Sequence, residues 1–112
     1  MASLANMKCT PCRGEDPPLT TTEIADLHSQ LPDWKILERN GINQLEREFR
    51  VKNFAEALSF SNRVGEIAGA EDHHPAILTE WGKATVSWWT HKIKGLHRND
   101  FVMADKTNRL QA

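Results

Sequence analysis

Trp34-Lys35-Ile36-Leu37-Glu38-Arg39-Asn40-Gly41-Ile42-Asn43-Gln44-Leu45-Glu46-Arg47-Glu48-Phe49-Arg50-Val51 is the segment from which the fold class is read. Asn-Gly is the strongest short hairpin signal, because both residues tolerate the positive φ that a two-residue type I′ turn requires. Two antiparallel strands, 34–38 and 44–51, are therefore expected on either side of Asn40-Gly41. Along the second, Leu45, Phe49 and Val51 share one face, and Glu46, Glu48 and Arg50 share the other. Arg47 falls on the apolar side, which puts it near a rim of the core.

Upstream, Thr20-Thr21-Thr22-Glu23 has capping-box spacing, and Ile24, Leu27 and Leu31 follow at helical intervals until Pro32-Asp33 stops them. His28 has polar neighbours on that helix and is expected to be a solvated side chain. Downstream, Asn53 and Glu56 form a second capping pair. Phe54, Ala57, Phe60, Val64, Ile67 and Ala68 then keep the helical period. This helix should finish near Gly69, since Pro75 and the residue before it cannot continue one. Segments 76–81 and 83–91 read as a second hairpin turning at Gly82. In its last strand Ala84, Val86 and Trp88 face one way, while Thr85, Ser87, Trp89 and His91 face the other. Gly95 breaks the pattern, and a final helix is expected over about 99–110, carrying Phe101, Val102, Ala104 and Asp105.

The order helix, two strands, helix, two strands, helix implies an α+β fold. Its sheet has four mainly antiparallel strands, with three helices on one face. The other face, carrying Trp89 and His91, is left open or available to a partner. Residues 1–18 read as an irregular N-terminal tail and 19–112 as a single domain.

With 112 residues, one domain with one modest core is expected. The 39% hydrophobic and 26% charged fractions are those of an ordinary globular protein. A net charge of −1 with interleaved signs argues against a nucleic-acid surface. No segment approaches a membrane span, and 1–13 lacks the apolar stretch of a signal peptide, so the expected location is cytoplasmic. Cys9 and Cys12 form a lone Cys-x-x-Cys without the strand–helix context of a redox motif or the further ligands of a zinc site.

Chemistry concentrates in Asp72-His73-His74-Pro75 and Trp88-Trp89-Thr90-His91. Histidine titrates near neutrality, so three in two short stretches suggest proton transfer. Adjacent His73 and His74 point to opposite sides of an extended segment, and both reach one pocket only if that segment wraps around a ligand at a helix end. Taken alone, a His-His-Pro tripeptide is most often an exposed loop. A metal site built on His73, His74 and His91 is a rival reading, although adjacent histidines lack the shared face of an i,i+4 pair. His97 is placed to cap the last helix. Counted from it, Asp100 falls at the third helical position, where a carboxylate serves the free backbone donors. Trp81 and Trp89 suit a core, an interface or a platform for a flat heterocycle, Trp89 being the better platform because it shares the His91 face.

These residues resemble the pterin-4a-carbinolamine dehydratase family. The likeness rests on Asp72-His73-His74-Pro75, an aromatic six positions after the proline (Trp81), a histidine ten further (His91) and an aspartate nine beyond that (Asp100). It extends through Phe49-x-Val51-x-Asn53-Phe54-x-x-Ala57 to Trp34 and covers about 19–110. The resemblance implies dehydration of 4a-hydroxytetrahydropterin to quinonoid dihydropterin, in tetrahydrobiopterin recycling, with neither metal nor organic cofactor. It implies catalytic roles for His73, His74 and His91: His73 and His91 as acid/base groups, His74 positioning the pterin. It also implies pterin contacts from Asp72, His73, His74, Trp89, Thr90 and His91, with Asp100 and Trp81 in support. A homodimer or homotetramer and a link to an aromatic amino-acid hydroxylase follow from the same likeness. So does the alternative of a non-enzymatic binding module, a coactivator or assembly factor. Three positions depart from the family pattern. Gly69 stands where many members have glutamate, leaving that role vacant or to Glu71; Trp89 stands where a small hydroxyl residue is frequent; His97 replaces the usual Ser or Thr.

Overall fold

The computed structural model describes Leu4 and residues 19–111. The expected tail and its Cys9–Cys12 pair lie outside the described residues apart from Leu4, which is buried in the core.

Helix α1, Thr21–His28, begins with the full capping box: the Thr20 hydroxyl accepts from the Glu23 amide, and the Glu23 carboxylate accepts from the Thr20 amide. Strands β1 (Lys35–Arg39) and β2 (Ile42–Arg50) pair with Arg39 opposite Ile42, leaving Asn40 and Gly41 as the two-residue turn. Their φ values of +54° and +78° are those of the type I′ geometry. Helix α2, Phe54–Glu71, follows its Asn53 cap and leads to strands β3 (Ala76–Glu80) and β4 (Lys83–Trp88). A one-turn 3-10 helix, His91–Ile93, precedes helix α3, Arg98–Arg109.

The strands form one antiparallel sheet in the order β1-β2-β4-β3. Helices α2 and α3 pack on the sheet, and α1 packs on α3. The core side of the sheet presents Leu45, Phe49, Ala84, Val86 and Trp88, all wholly buried, against Phe60, Val64 and Ala68 of α2 and Phe101–Ala104 of α3. Arg47 sits at the rim as expected. Its guanidinium lies 4.5 Å from the Phe49 ring centroid and donates to Asn108 Oδ1 at 2.6 Å.

Four local expectations are corrected. Helix α2 runs two residues past Gly69 and stops only where Asp72 turns left-handed at φ +51°. Phe54 is 47% exposed rather than part of the core. The Val51 amide bonds the Gly82 carbonyl at the second hairpin turn, so α2 starts level with the end of the sheet. His28 is half-buried, not solvated. The chain folds back after α1, and the imidazole Nε2 donates to the Trp34 carbonyl at 2.6 Å. Finally, β4 ends at Trp88, so His91 is not the end of a strand.

Candidate active site

Three chain segments meet where α2 ends, β4 ends and α3 begins. Asp72 terminates α2 in the left-handed region, and the His73 amide returns to the Ala68 carbonyl at 3.1 Å, which fixes where His73 leaves the helix. Pro75 then forces an extended path. As alternation requires, the two histidines part company: the His73 side chain is 9% exposed and that of His74 66% exposed.

The His73 ring lies flat over the wholly buried Trp88 indole, with centroids 5.8 Å apart and planes within 8°. Its Nε2 sits 2.6 Å from Asp100 Oδ1. A carboxylate only accepts, so Nε2 carries the proton and Nδ1 is the nitrogen outside that bond. Asp100 is itself wholly buried. Its second oxygen, Oδ2, accepts from Thr90 Oγ1 at 2.9 Å and from the His97 amide at 2.8 Å. One carboxylate therefore ties the end of α2, the end of β4 and the start of α3 together, and low local dielectric strengthens each charge-assisted bond.

His97 is the N-cap of α3, its Nδ1 accepting from the Asn99 amide at 3.0 Å while Asp100 completes the capping box. The spacing reading of both residues therefore stands, and Asp100 does more than cap. The signal for its second role lay in α3 itself: Asp100 and Thr107, seven residues and two turns apart, are polar positions on a buried face. Thr107 Oγ1 accepts from the Trp88 indole at 3.1 Å, which fixes the floor beneath His73. Trp88 as that floor was not foreseen from its core-facing alternation.

Thr90 and Gly95 pair across an isolated bridge, with Thr90 N–H to Gly95 O at 2.9 Å, and the residues between them form the turn bearing His91. His91 is exposed. Its Nε2 donates a long bond to the His74 carbonyl at 3.4 Å, and its ring lies 4.6 Å from that of Trp89. The two histidine stretches are thus brought into contact. Trp81 is not with them; it is 73% exposed at the β3–β4 turn.

A family model for pterin 4 alpha carbinolamine dehydratase matches residues 17–110. The chain belongs to that family, whose members are hydro-lyases. It is 56% identical over 110 residues, covering 98% of this chain and 95% of the relative, to a provisionally named pterin-4-alpha-carbinolamine dehydratase 1 of Gloeobacter violaceus. A provisionally named dehydratase of Nitrosococcus oceani is 54% identical over 110 residues, covering 98% and 97%. The crystal structure of a transcriptional coactivator/pterin dehydratase from Brucella melitensis superposes with a TM-score of 0.75 at 27% identity, covering 85% of this chain and 99% of that one. Against the pattern of the pterin dehydratases, a Cβ built at Gly69 would meet nothing within 4 Å, so the space of a side chain is open there. The Glu71 carboxylate lies 3.8 Å from the Lys106 ammonium of α3. Among the described residues no helix is long and apolar enough to cross a membrane.

Proposed function

We propose that this chain dehydrates 4a-hydroxytetrahydropterin to quinonoid dihydropterin and water, with His73 and His91 exchanging protons and His74 positioning the pterin. The observation that carries the reading is the contact between the two histidine stretches, with His73 and Thr90 held by the same buried carboxylate. The reaction needs one proton delivered to the departing hydroxyl and one removed from the adjacent ring nitrogen, whose electron pair forms the new C=N bond. Two imidazoles at neutral pH suit both transfers. His73 and His91 each use Nε2 in a bond to a pure acceptor, which leaves Nδ1 of each ring for the exchange. The Asp100 carboxylate orients the His73 ring and offsets positive charge on it while a proton is in transit, as the third member of a triad does. Asp72–His74 and Trp89–His91 are the segments proposed to contact the pterin.

The reaction so written requires no metal and no organic cofactor. Turnover should therefore survive dialysis against a strong chelator unchanged. The substrate is that released by an aromatic amino-acid hydroxylase, which places the step in tetrahydrobiopterin recycling, in a cytoplasmic homo-oligomer.

The test is the dehydration assay on wild type, His73→Ala, His74→Ala and His91→Ala side by side. Loss of turnover is expected in each, by at least about 100-fold where a proton-transfer group is removed. Wild-type-like rates in all three would sink the assignment. The name of the Brucella melitensis structure also supports a second reading, a coactivator-type binding module. A pterin-free, inactive protein that retains a stable partner in pull-down would favour it.

A further inference from the structure

An imidazole on an exposed one-turn helix ordinarily samples several rotamers. His91 is in that situation, yet its ring is restrained on two sides. The bond from Nε2 to the His74 carbonyl is long at 3.4 Å and aligns one atom only. The broader contact is the Trp89 indole, 4.6 Å away between centroids and tilted by 37°. Trp89 is half-buried and stands between two immobilised residues. Trp88, before it, is wholly buried and bonded to Thr107. Thr90, after it, is bonded to Asp100 through its side chain and to Gly95 through its backbone. The indole therefore stands on backbone held on both sides, and the imidazole begins the turn beyond it.

We propose that Trp89 is the positioning residue for His91, setting the ring plane in which it exchanges its proton. The assignment rests on the dehydratase reading above.

The experiment compares wild type, Trp89→Phe and Trp89→Ser, with the serine change repeated in the His91→Ala background. The readouts are kcat and KM for carbinolamine dehydration and the His91 Cε1–H resonance by NMR. Trp89→Ser should lower kcat about tenfold whatever it does to KM, since misplacing a reacting group costs rate. Trp89→Phe should restore most of kcat, because a ring is again present. In the His91→Ala background the serine change should cost no more than about twofold, the non-additivity expected of a residue acting through another. The His91 resonance should be displaced by the indole ring current in wild type and return toward that of a free imidazole in Trp89→Ser. A serine variant with wild-type kcat, a rise in KM alone, an equal loss without His91, or an undisplaced His91 resonance in wild type would each overturn the proposal. A wild-type chain without turnover but with a displaced His91 resonance overturns the dehydratase reading instead, which keeps the two failures apart.

Discussion

Asp100 shows how much one side chain can be asked to do. It is wholly buried and accepts from His73 Nε2, Thr90 Oγ1 and the His97 amide. Asparagine has nearly the same shape but turns an NH2 group toward at least one of those donors. Asp100→Asn is therefore expected to lose about 2 kcal/mol of stability, the cost of leaving a buried donor without its acceptor. It should also lose at least about 100-fold in turnover, because the His73 ring no longer has a fixed tautomer. The two losses separate if turnover is measured at a temperature where near-UV circular dichroism shows the variant folded. Wild-type kcat in the folded variant would remove His73 from the proton path. The sequence exposed part of this. The spacing from His97 located Asp100 at the helix start, and adjacency separated His73 from His74. What it could not expose was the meeting of residues 27 positions apart, because nothing local to either residue encodes the other. The same holds for His28, whose partner, the Trp34 carbonyl, is supplied by the chain folding back.

At the scale of elements, the local signals were read well wherever the backbone itself sets the geometry. Thr20 with Glu23, Asn53 with Glu56 and Asn40-Gly41 all act within four residues, and all appear where spacing put them. His97 is the unusual cap. Its ring accepts from the Asn99 amide, so His97→Ala should cost about 1 kcal/mol and His97→Ser should restore it, read as urea midpoints. Equal midpoints for the two variants would deny the cap its role. The hairpin carries a pH-dependent element. Glu46 accepts from Arg39 Nη1 and Ser87 Oγ, each at 2.7 Å, and the Arg39 bond holds its carboxyl below the ordinary range. A depressed folded-state value means the stabilisation is fully present above the ordinary carboxylate range and is lost as pH falls through the folded value. Wild type should therefore lose more stability than Glu46→Gln between about pH 5 and pH 3. The difference should stay under about 1 kcal/mol, because Arg39 is half exposed. Parallel pH–stability curves would refute this. Element ends were less legible: β4 stops at Trp88 because Thr90 pairs with Gly95, a closure that strand alternation cannot anticipate.

Across the whole molecule, the fold keeps its packing load and its chemistry at separate points of one sheet. Phe49 is wholly buried, meets Trp34 edge-on at 5.8 Å and Phe60 at 4.7 Å, and lies under the Arg47 guanidinium. It pairs with Ala84, whereas Leu45 pairs with Trp88, the floor of His73. Four residues of strand separate those points, about 13 Å at the usual rise. Phe49→Ala should cost about 3–5 kcal/mol, a large share of the stability of a domain this size. Yet the Asp100 carboxylate and its three donors contain no atom of that cluster. The variant should therefore melt well below wild type while each folded molecule keeps a near-wild-type kcat at low temperature. A kcat that collapsed in protein still folded by circular dichroism would mean that the aromatic cluster transmits strain along β4 to the histidines. The packing end follows from hydrophobic periodicity, whereas the chemical end exists only once three segments distant in sequence converge on Asp100.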